Sequence, residues 1–387
     1  MSYFTIDHGG GDNYSVIAKT LCKRYNCKVE VHPADCRHRQ NEFLCFERAN
    51  GAFTLNASKC VTDFLINDIA GESPLRRAFI SAYIAAVRRF PQALNVKAFV
   101  MEKPIDNADS MLIYPANKKV KLFNFQNKTI TNVLKEGYGR AWFDKEVQVR
   151  TSPAWSFIPT LSVNPDGSYT EAVLDGIPLA RTKKSKSVFE KLDSCLARMQ
   201  MRDRSLIDSE EYADKLSNDL EICLERLSAS VLTEQIKTCR RVNETLINAV
   251  KSQKSLKIPL CFSHGDLQQG NILYDSATNK LWIIDWETCA VRSLWYDVFI
   301  LYYGMRDILN IVQTVRIGNR EKWINAKKYV SAAIIFEPKT LIPIFLLEDA
   351  VWHLQQTVLL PAKNHHDSVT KNFEKIVQSW QAYQKAQ

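Results

Sequence analysis

No stretch of this 387-residue chain approaches 18 uncharged apolar residues, the least that would span a bilayer as a helix. The most apolar runs, AAIIFEPKTLIPIFLLED and LWYDVFILYYG, are broken by charge or proline, or end too soon. The opening MSYFTIDHGGGDN lacks the basic flank and apolar stretch of a secretory signal. Ten cysteines are scattered without a single CxxC pair, which argues against a zinc site or a disulfide framework and for a reduced compartment, the cytoplasm. No internal repeat is visible, and no interleaving of aromatic and basic residues suggests a nucleic-acid groove. The triplet Gly9, Gly10 and Gly11 lacks a long preceding strand and the GK[ST] ending of a phosphate-binding loop, so it reads as a turn into a helix N-cap.

What is present is an ordinary globular composition, 46% hydrophobic and 24% charged, in a chain long enough for two or three domains. Fifty-one basic residues against 42 acidic ones leave a net charge of +9. That balance fits polyanionic partners such as nucleotides, phosphorylated glycans or an anionic membrane surface, the last by peripheral association. The densest basic run, RTKKSK at residues 181 to 186, reads as a solvated loop.

The most informative segment is SHGDLQQGNILYDSATNKLWIIDWE, residues 263 to 287. Asp266 follows His264 by two residues, Asn271 comes five later, and Asp285 closes the apolar run LWII. NILY and LWII pair across the turn SATN, which puts Asn271 and Asp285 at the same end of a β-hairpin. A lone HxD would be read as the polar end of a buried hairpin. Here four constraints coincide, and together they meet the needs of phosphoryl transfer: a base or orienter beside the attacking hydroxyl, and oxygen ligands for Mg²⁺ bridging nucleotide phosphates.

HGDLQQGNIL followed by IIDWE resembles the catalytic core of the aminoglycoside phosphotransferase and choline kinase superfamily, distant relatives of protein kinases. The resemblance implies that Asp266 is the catalytic Asp, that Asn271 and Asp285 hold Mg²⁺, that His264 supports the loop and that ATP is the phosphate donor. The pair Tyr296 and Asp297 in RSLWYDVF matches a YD dipeptide of these enzymes, with Asp297 expected to brace the catalytic loop.

A kinase-like core requires a small β-rich lobe upstream. SMLIYPA, VKLFNFQ and TITNVLK read as three strands separated by NKK and NK turns, GRAWFDKEVQVR as an amphipathic helix, and FIPTLSV and SYTEAVL as two more strands around the turn NPDG. Five strands with one helix after the third is the kinase small-lobe order. In that register Lys135 ends the third strand and Glu146 lies in the helix, the positions of a lysine that grips the nucleotide phosphates and a carboxylate that holds its stem; Lys121 is the rival lysine. TEAVLDGIPL resembles the family's hinge, with backbone groups near Glu171 and Val173 facing the adenine edge. One departure stands out: the turn at 115–119, PANKK, has no glycine where a phosphate-covering loop is expected, and Lys118 or Lys119 could substitute by charge.

The expected fold is therefore α+β, a two-lobed protein-kinase-like fold with an extra N-terminal α+β domain. Residues 1–105 form that extra domain, of unreadable role, with a helix near 14–25, a strand KVEVH, a hairpin tipped by Asn50 and Gly51, and a helix from Pro74 to Phe90. Residues 106–178 form the small lobe, and 179–387 a mainly helical large lobe interrupted near Gly318 and Pro338. Glu287, Trp295, Tyr302, Tyr303, Glu348, Asp349 and Trp352 supply acids and aromatics that would suit a choline-like or aminoglycoside cation if they lined a pocket, and that otherwise form core. The basic charge balance points instead to a sugar or cell-envelope glycan. His365, His366 and Asp367 lack a third ligand cluster, and Asp367 reads as a helix cap. The expected activity is ATP- and Mg²⁺-dependent phosphorylation of a hydroxyl on a sugar, glycan or other small molecule. The alternatives are a choline, ethanolamine or aminoglycoside kinase, and a pseudokinase or nucleotide-binding scaffold.

Overall fold

The computed structural model describes residues 13–34, 41–47, 50–71, 73–151, 155–182, 185–252, 256–304, 306, 310 and 338–386. Gly9 to Gly11, Lys183 and Lys184 of the basic run, and Gly318 lie outside the described residues. The chain divides into two compact units. The first comprises Met1–Phe143, Arg150–Ala154 and Pro159–Asp175; the second comprises Asp144–Val149, Trp155–Ile158 and Gly176–Gln387.

The first unit is built on one nine-stranded antiparallel sheet. Its strands in chain order are β1 (Val29–Pro33), β2 (Glu42–Phe46), β3 (Gly51–Phe53), β4 (Lys97–Met101), β5 (Met111–Pro115), β6 (Lys119–Asn124), β7 (Thr129–Leu134), β8 (Leu161–Val163) and β9 (Tyr169–Ala172). They lie side by side as β1-β4-β2-β3-β5-β6-β7-β9-β8. The sequence EFLCF of β2 shows why this sheet is covered on both faces. All five of its residues are buried, and successive side chains on a strand point to opposite sides. Phe43 and Cys45 join a cluster with Tyr14, Ile17 and Leu21 of helix α1 (Asn13–Tyr25). Leu44 and Phe46 join another with Val61 and Leu65 of α2 (Lys59–Ala70) and Ile80 and Ile84 of α3 (Pro74–Arg89). Proline at the start of α3 costs no hydrogen bond there, and Ser73 caps the helix by accepting from the Arg76 N–H.

One expectation is corrected by this sheet. Residues 1–105 are not a domain apart, because β3 pairs with β5 through Ala52 and Ile113, so strands from both sides of residue 105 share one sheet. The physical reason lies in β3, whose three residues are all buried: a buried strand needs a neighbour on each edge to satisfy its backbone groups. The Asn50–Gly51 turn sets up that approach. Asn50 takes the left-handed conformation (φ 48°), and a Cβ on Gly51 would sit 2.7 Å from Leu112 Cδ1. The strand order expected for 111–172 is present, with β5, β6 and β7, then helix α4 (Ala141–Thr151), then β8 and β9.

The second unit is mainly helical. It contains helices α5 (Lys186–Gln200), α6 (Ser209–Leu227), α7 (Thr233–Lys251), α8 (Pro338–Val358) and α9 (His365–Ala386) and two three-stranded sheets. On α6 the buried positions Tyr212, Ala213, Leu216, Leu220, Cys223, Leu224 and Leu227 recur at three- and four-residue spacing, the stripe of a helix with one face in a core. One sheet, β11 (Ser205–Asp208), β12 (Lys257–Ser263) and β15 (Ala290–Ser293), is centred on β12. The other, β10 (Ile177–Pro178), β13 (Ile272–Asp275) and β14 (Lys280–Ile283), contains the expected hairpin. Pro338 begins α8, and Asp367 lies in the first turn of α9; since α9 starts at His365, Asp367 is inside the helix and is not its cap. His365 is a buried structural residue, its Nδ1 paired with the Ser230 hydroxyl and its Nε2 with the Leu360 carbonyl. No helix among the described residues is long and apolar enough to cross a membrane.

Candidate active site

Strand β12 ends at Ser263 and delivers His264, Gly265 and Asp266 into a tight loop. Asp297 holds that loop from below. Its Oδ2 accepts the His264 backbone N–H at 2.7 Å and its Oδ1 accepts that of Gly265 at 3.0 Å. A buried carboxylate satisfied by two backbone donors is a rigid brace, and Asp297 is only 4% exposed. Gly265 has φ 82°, and a Cβ there would lie 2.3 Å from the Thr288 carbonyl oxygen. Glycine is therefore required twice over, by the dihedral and by the close approach.

His264 is fully buried, and its two ring nitrogens are assigned by their partners. Nδ1 accepts the Asp266 backbone N–H at 3.2 Å. Nε2 faces the Ile284 carbonyl at 2.9 Å, which can only accept, so the ring proton sits on Nε2. His264 thus ties the loop to the end of the hairpin and does not project toward a reactant.

Asp266 presents its carboxylate within a shell of donors. Oδ2 accepts from Asn271 Nδ2 at 3.0 Å and from Gln268 Nε2 at 3.2 Å. Asn271 Nδ2 also donates to the Asp266 carbonyl at 2.9 Å. Both amide hydrogens of Asn271 are thereby spent on Asp266, which turns its Oδ1 away as a hard oxygen donor. The hairpin register pairs Ile272 with Ile283, and the Ile284 N–H bonds the Asn271 carbonyl at 3.0 Å, so Asp285 emerges one residue beyond Asn271's partner. Asp285 has left-handed backbone geometry, φ 61°, uncommon outside glycine and suited to redirecting a side chain at a strand end. An Asn oxygen and an Asp carboxylate suit Mg²⁺, which takes one or two protein oxygens and fills its octahedron with water and phosphate. Among the described residues no cluster of three His, Cys, Asp or Glu side chains is assembled, so the donor set does not resemble a zinc cage.

One participant gives no signal in the sequence. Arg306, forty residues from Asp266, places Nη1 on Asp266 Oδ1. Its Nη2 donates to the Gly265 carbonyl at 2.9 Å and the Tyr296 hydroxyl at 3.2 Å, and its Nε donates to Asp349 Oδ1 at 3.2 Å. The guanidinium carbon lies 4.0 Å from the centroid of the Trp352 ring. Burial opposes the charge on Arg306, but Tyr296, Asp349 and Asp266 outweigh it and push its pKa above the ordinary value. At Asp349 burial is likewise outweighed, by His353 and Arg306, and the carboxyl is held below the usual range.

Of the acids and aromatics seen in the sequence, Asp349 and Trp352 meet this cluster. Trp295 and Tyr303 are core residues, and the Tyr302 hydroxyl pairs with Asp193. Glu348 accepts from the Ser293 N–H and from the Tyr212 and Ser293 hydroxyls, and burial pushes its pKa up.

In the first unit three lysines converge at one end of the β5-β6-β7 meander. Lys118 and Lys119 are buried, their ammoniums 4.7 and 5.6 Å from the Trp142 ring centroid, and Lys119 Nζ donates to the Tyr169 hydroxyl at 3.3 Å. Lys135 follows β7, bonds the Lys118 carbonyl through its backbone N–H, and points Nζ at the Asn117 carbonyl at 3.2 Å. Burial lowers the Lys135 pKa to about 8. The rival Lys121 is half-buried within β6. Glu146, in α4, is fully buried and belongs to the second unit, whereas Lys135 belongs to the first.

The expected hinge residues lie in β9 and directly after it. Glu171 sits mid-strand in β9, paired with Ile130 of β7 and Leu161 of β8. Its carboxylate accepts from Arg150 Nη2 and from Asn132 Nδ2. The Val173 N–H already donates to the Lys128 carbonyl at 2.9 Å, and its side chain packs in the first unit's core. The Glu171 carboxylate and the Val173 N–H are thus engaged within the first unit.

Residues 172–321 match the model of the phosphotransferase enzyme family. No curated protein matches the sequence. Among solved structures the chain is similar to a Plasmodium vivax ethanolamine kinase, at 13% identity over 84% of this chain and 95% of that one, with a TM-score of 0.45. It is similar also to a choline kinase from Streptococcus pneumoniae, at 14% identity over 70% and 89% of the two chains and a TM-score of 0.41. A third is an aminoglycoside phosphotransferase solved with gentamicin, at 13% identity over 68% and 89% and a TM-score of 0.42.

Proposed function

We propose, from the match of residues 172–321 to the phosphotransferase enzyme family, that this chain transfers the γ-phosphate of ATP to a hydroxyl of a small molecule. The observation that carries the reading is the Asp266–Asn271 arrangement, in which the Asn271 amide orients the Asp266 carboxylate and leaves its own Oδ1 for a metal. Asp266 holds the acceptor hydroxyl and takes its proton as the acceptor oxygen bonds to the γ-phosphorus; the bridging P–O bond breaks and its electron pair leaves with ADP. Asn271 Oδ1 and the Asp285 carboxylate would hold Mg²⁺, which when bound supplies charge neutralisation across the phosphates. His264 and Asp297 fix the loop and take no part in bond making. Lys118, Lys119 and Lys135 supply positive charge in the first unit, the role a glycine-rich turn fills elsewhere through backbone donors.

Nine described cysteines are free thiols, which suits a reduced, ATP-containing compartment such as the cytoplasm. For the acceptor, the net charge of +9 favours a sugar or envelope glycan. A nucleotide-binding scaffold is the second reading, favoured by the glycine-free turn at 115–119. Thermal unfolding with ATP, with and without Mg²⁺, followed by ATP consumption over a panel of sugars and amino alcohols, tests both. A Mg²⁺-dependent shift with turnover supports transfer. A shift with no turnover on any acceptor supports the scaffold, and no shift at all contradicts both.

A further inference from the structure

The groups around Arg306 are those by which a protein holds a ligand cation. Two carboxylates (Asp266 and Asp349), an indole face (Trp352) and a phenol oxygen (Tyr296) surround one position in the second unit. Such a box binds ammonium or guanidinium through charge-assisted hydrogen bonds and the ring quadrupole. Arg306 fills it. Four of its five N–H donors are engaged, one on each carboxylate, one on the Gly265 carbonyl and one on the Tyr296 hydroxyl.

The plainer alternative is that Arg306 only steadies Asp266. Asn271 and Gln268 already orient Asp266 from Oδ2, so steadying alone would not require Asp349 and Trp352 to gather around the guanidinium. Asp349 also accepts the Tyr296 hydroxyl at 3.1 Å, which completes the box behind the arginine.

We infer that Arg306 occupies the place of an acceptor's cation, making the acceptor an uncharged or anionic sugar hydroxyl and excluding amino alcohols and aminoglycosides. The inference rests on the phosphotransferase reading above and narrows its acceptor. A second positive charge at contact distance from the guanidinium weakens binding on the order of a thousandfold at an effective dielectric near 20. Removing the guanidinium leaves Asp266, Asp349 and Trp352 facing an opened space, and the selectivity inverts.

The test uses the full chain with choline and ethanolamine as probes, read by calorimetry and by ATP consumption, on the wild type, Arg306→Ala and Arg306→Lys. The wild type should neither bind nor phosphorylate either probe. Arg306→Ala should bind choline at least about tenfold more tightly than the wild type, whereas Arg306→Lys, which keeps the charge, should not. Choline binding or turnover by the wild type overturns the inference, as does a folded Arg306→Ala that gains no choline affinity. Should Arg306→Ala fail to fold, the wild-type measurement decides alone. ATP-induced thermal stabilisation is scored separately: its absence strikes the phosphotransferase reading, and the choline calorimetry still reports on Arg306.

Discussion

Removing the Asp297 carboxylate should unseat the catalytic loop without emptying the nucleotide site. In Asp297→Ala the backbone donors of His264 and Gly265, now held at 2.7 and 3.0 Å, lose their acceptor inside the core. Each orphaned buried N–H costs about 1–3 kcal/mol. The desolvation cost of the carboxylate itself disappears at the same time, so the net loss should fall at about 2–4 kcal/mol, a large share of the 5–15 kcal/mol typical of a domain. The catalytic consequence is of similar size in free energy. Misplacing a reacting group by about 1 Å costs on the order of a hundredfold in rate, and Asp266 is the residue next to the two that Asp297 holds. Asp297→Ala should therefore lower kcat about a hundredfold with ATP affinity changed less than about threefold, measured by ATP consumption and by nucleotide titration. Asp297→Asn, which keeps one acceptor oxygen, should lie between. Wild-type kcat in a folded Asp297→Ala protein would refute the bracing role.

Two further outcomes follow from single residues. Gly265→Ala should be more damaging than its size suggests, because the added carbon would meet the Thr288 carbonyl oxygen at 2.3 Å in a left-handed backbone; a melting temperature and kcat both near wild type would show that the loop gives way cheaply. Lys135 keeps its proton to about pH 10.5 when unfolded but to only about pH 8 when folded. The unfolded chain then binds more protons between those values, so stability should rise with pH across that window, by up to about 3 kcal/mol. Lys135→Met should flatten that part of the profile in denaturant titrations, and an unchanged wild-type slope in the variant would remove the assignment.

Much of this could be read locally in the sequence. The hairpin around SATN, the loop HGD and the brace at Asp297 depend on residues whose spacing is short or whose motif is specific, and the geometry brings His264, Asp266, Asn271 and Asp297 together. The five strands and one helix of 111–172 carried alternating and helical periodicity and turn residues, which survive folding because each element pairs with its neighbour in the chain. What escaped was non-local. Nothing in GAF announces that β3 will pair with β5 some sixty residues on, so a continuous sheet was read as two domains. Strand propensity in SYTEAVL marks β9 but not the bond from the Val173 N–H to the Lys128 carbonyl. Lys135 could be found by its position after a strand, but not the carbonyl that receives it. Arg306 had no motif at all; only the fold brings it onto Asp266.

The most direct test is release of the ATP γ-phosphate in the presence of Mg²⁺, with an acceptor panel, by the wild type, Asp266→Ala and Asp285→Ala. Turnover is expected of the wild type, with a loss of at least about a thousandfold in each variant and cooperative unfolding retained in both. Full activity in Asp266→Ala would contradict the role of Asp266 in phosphoryl transfer.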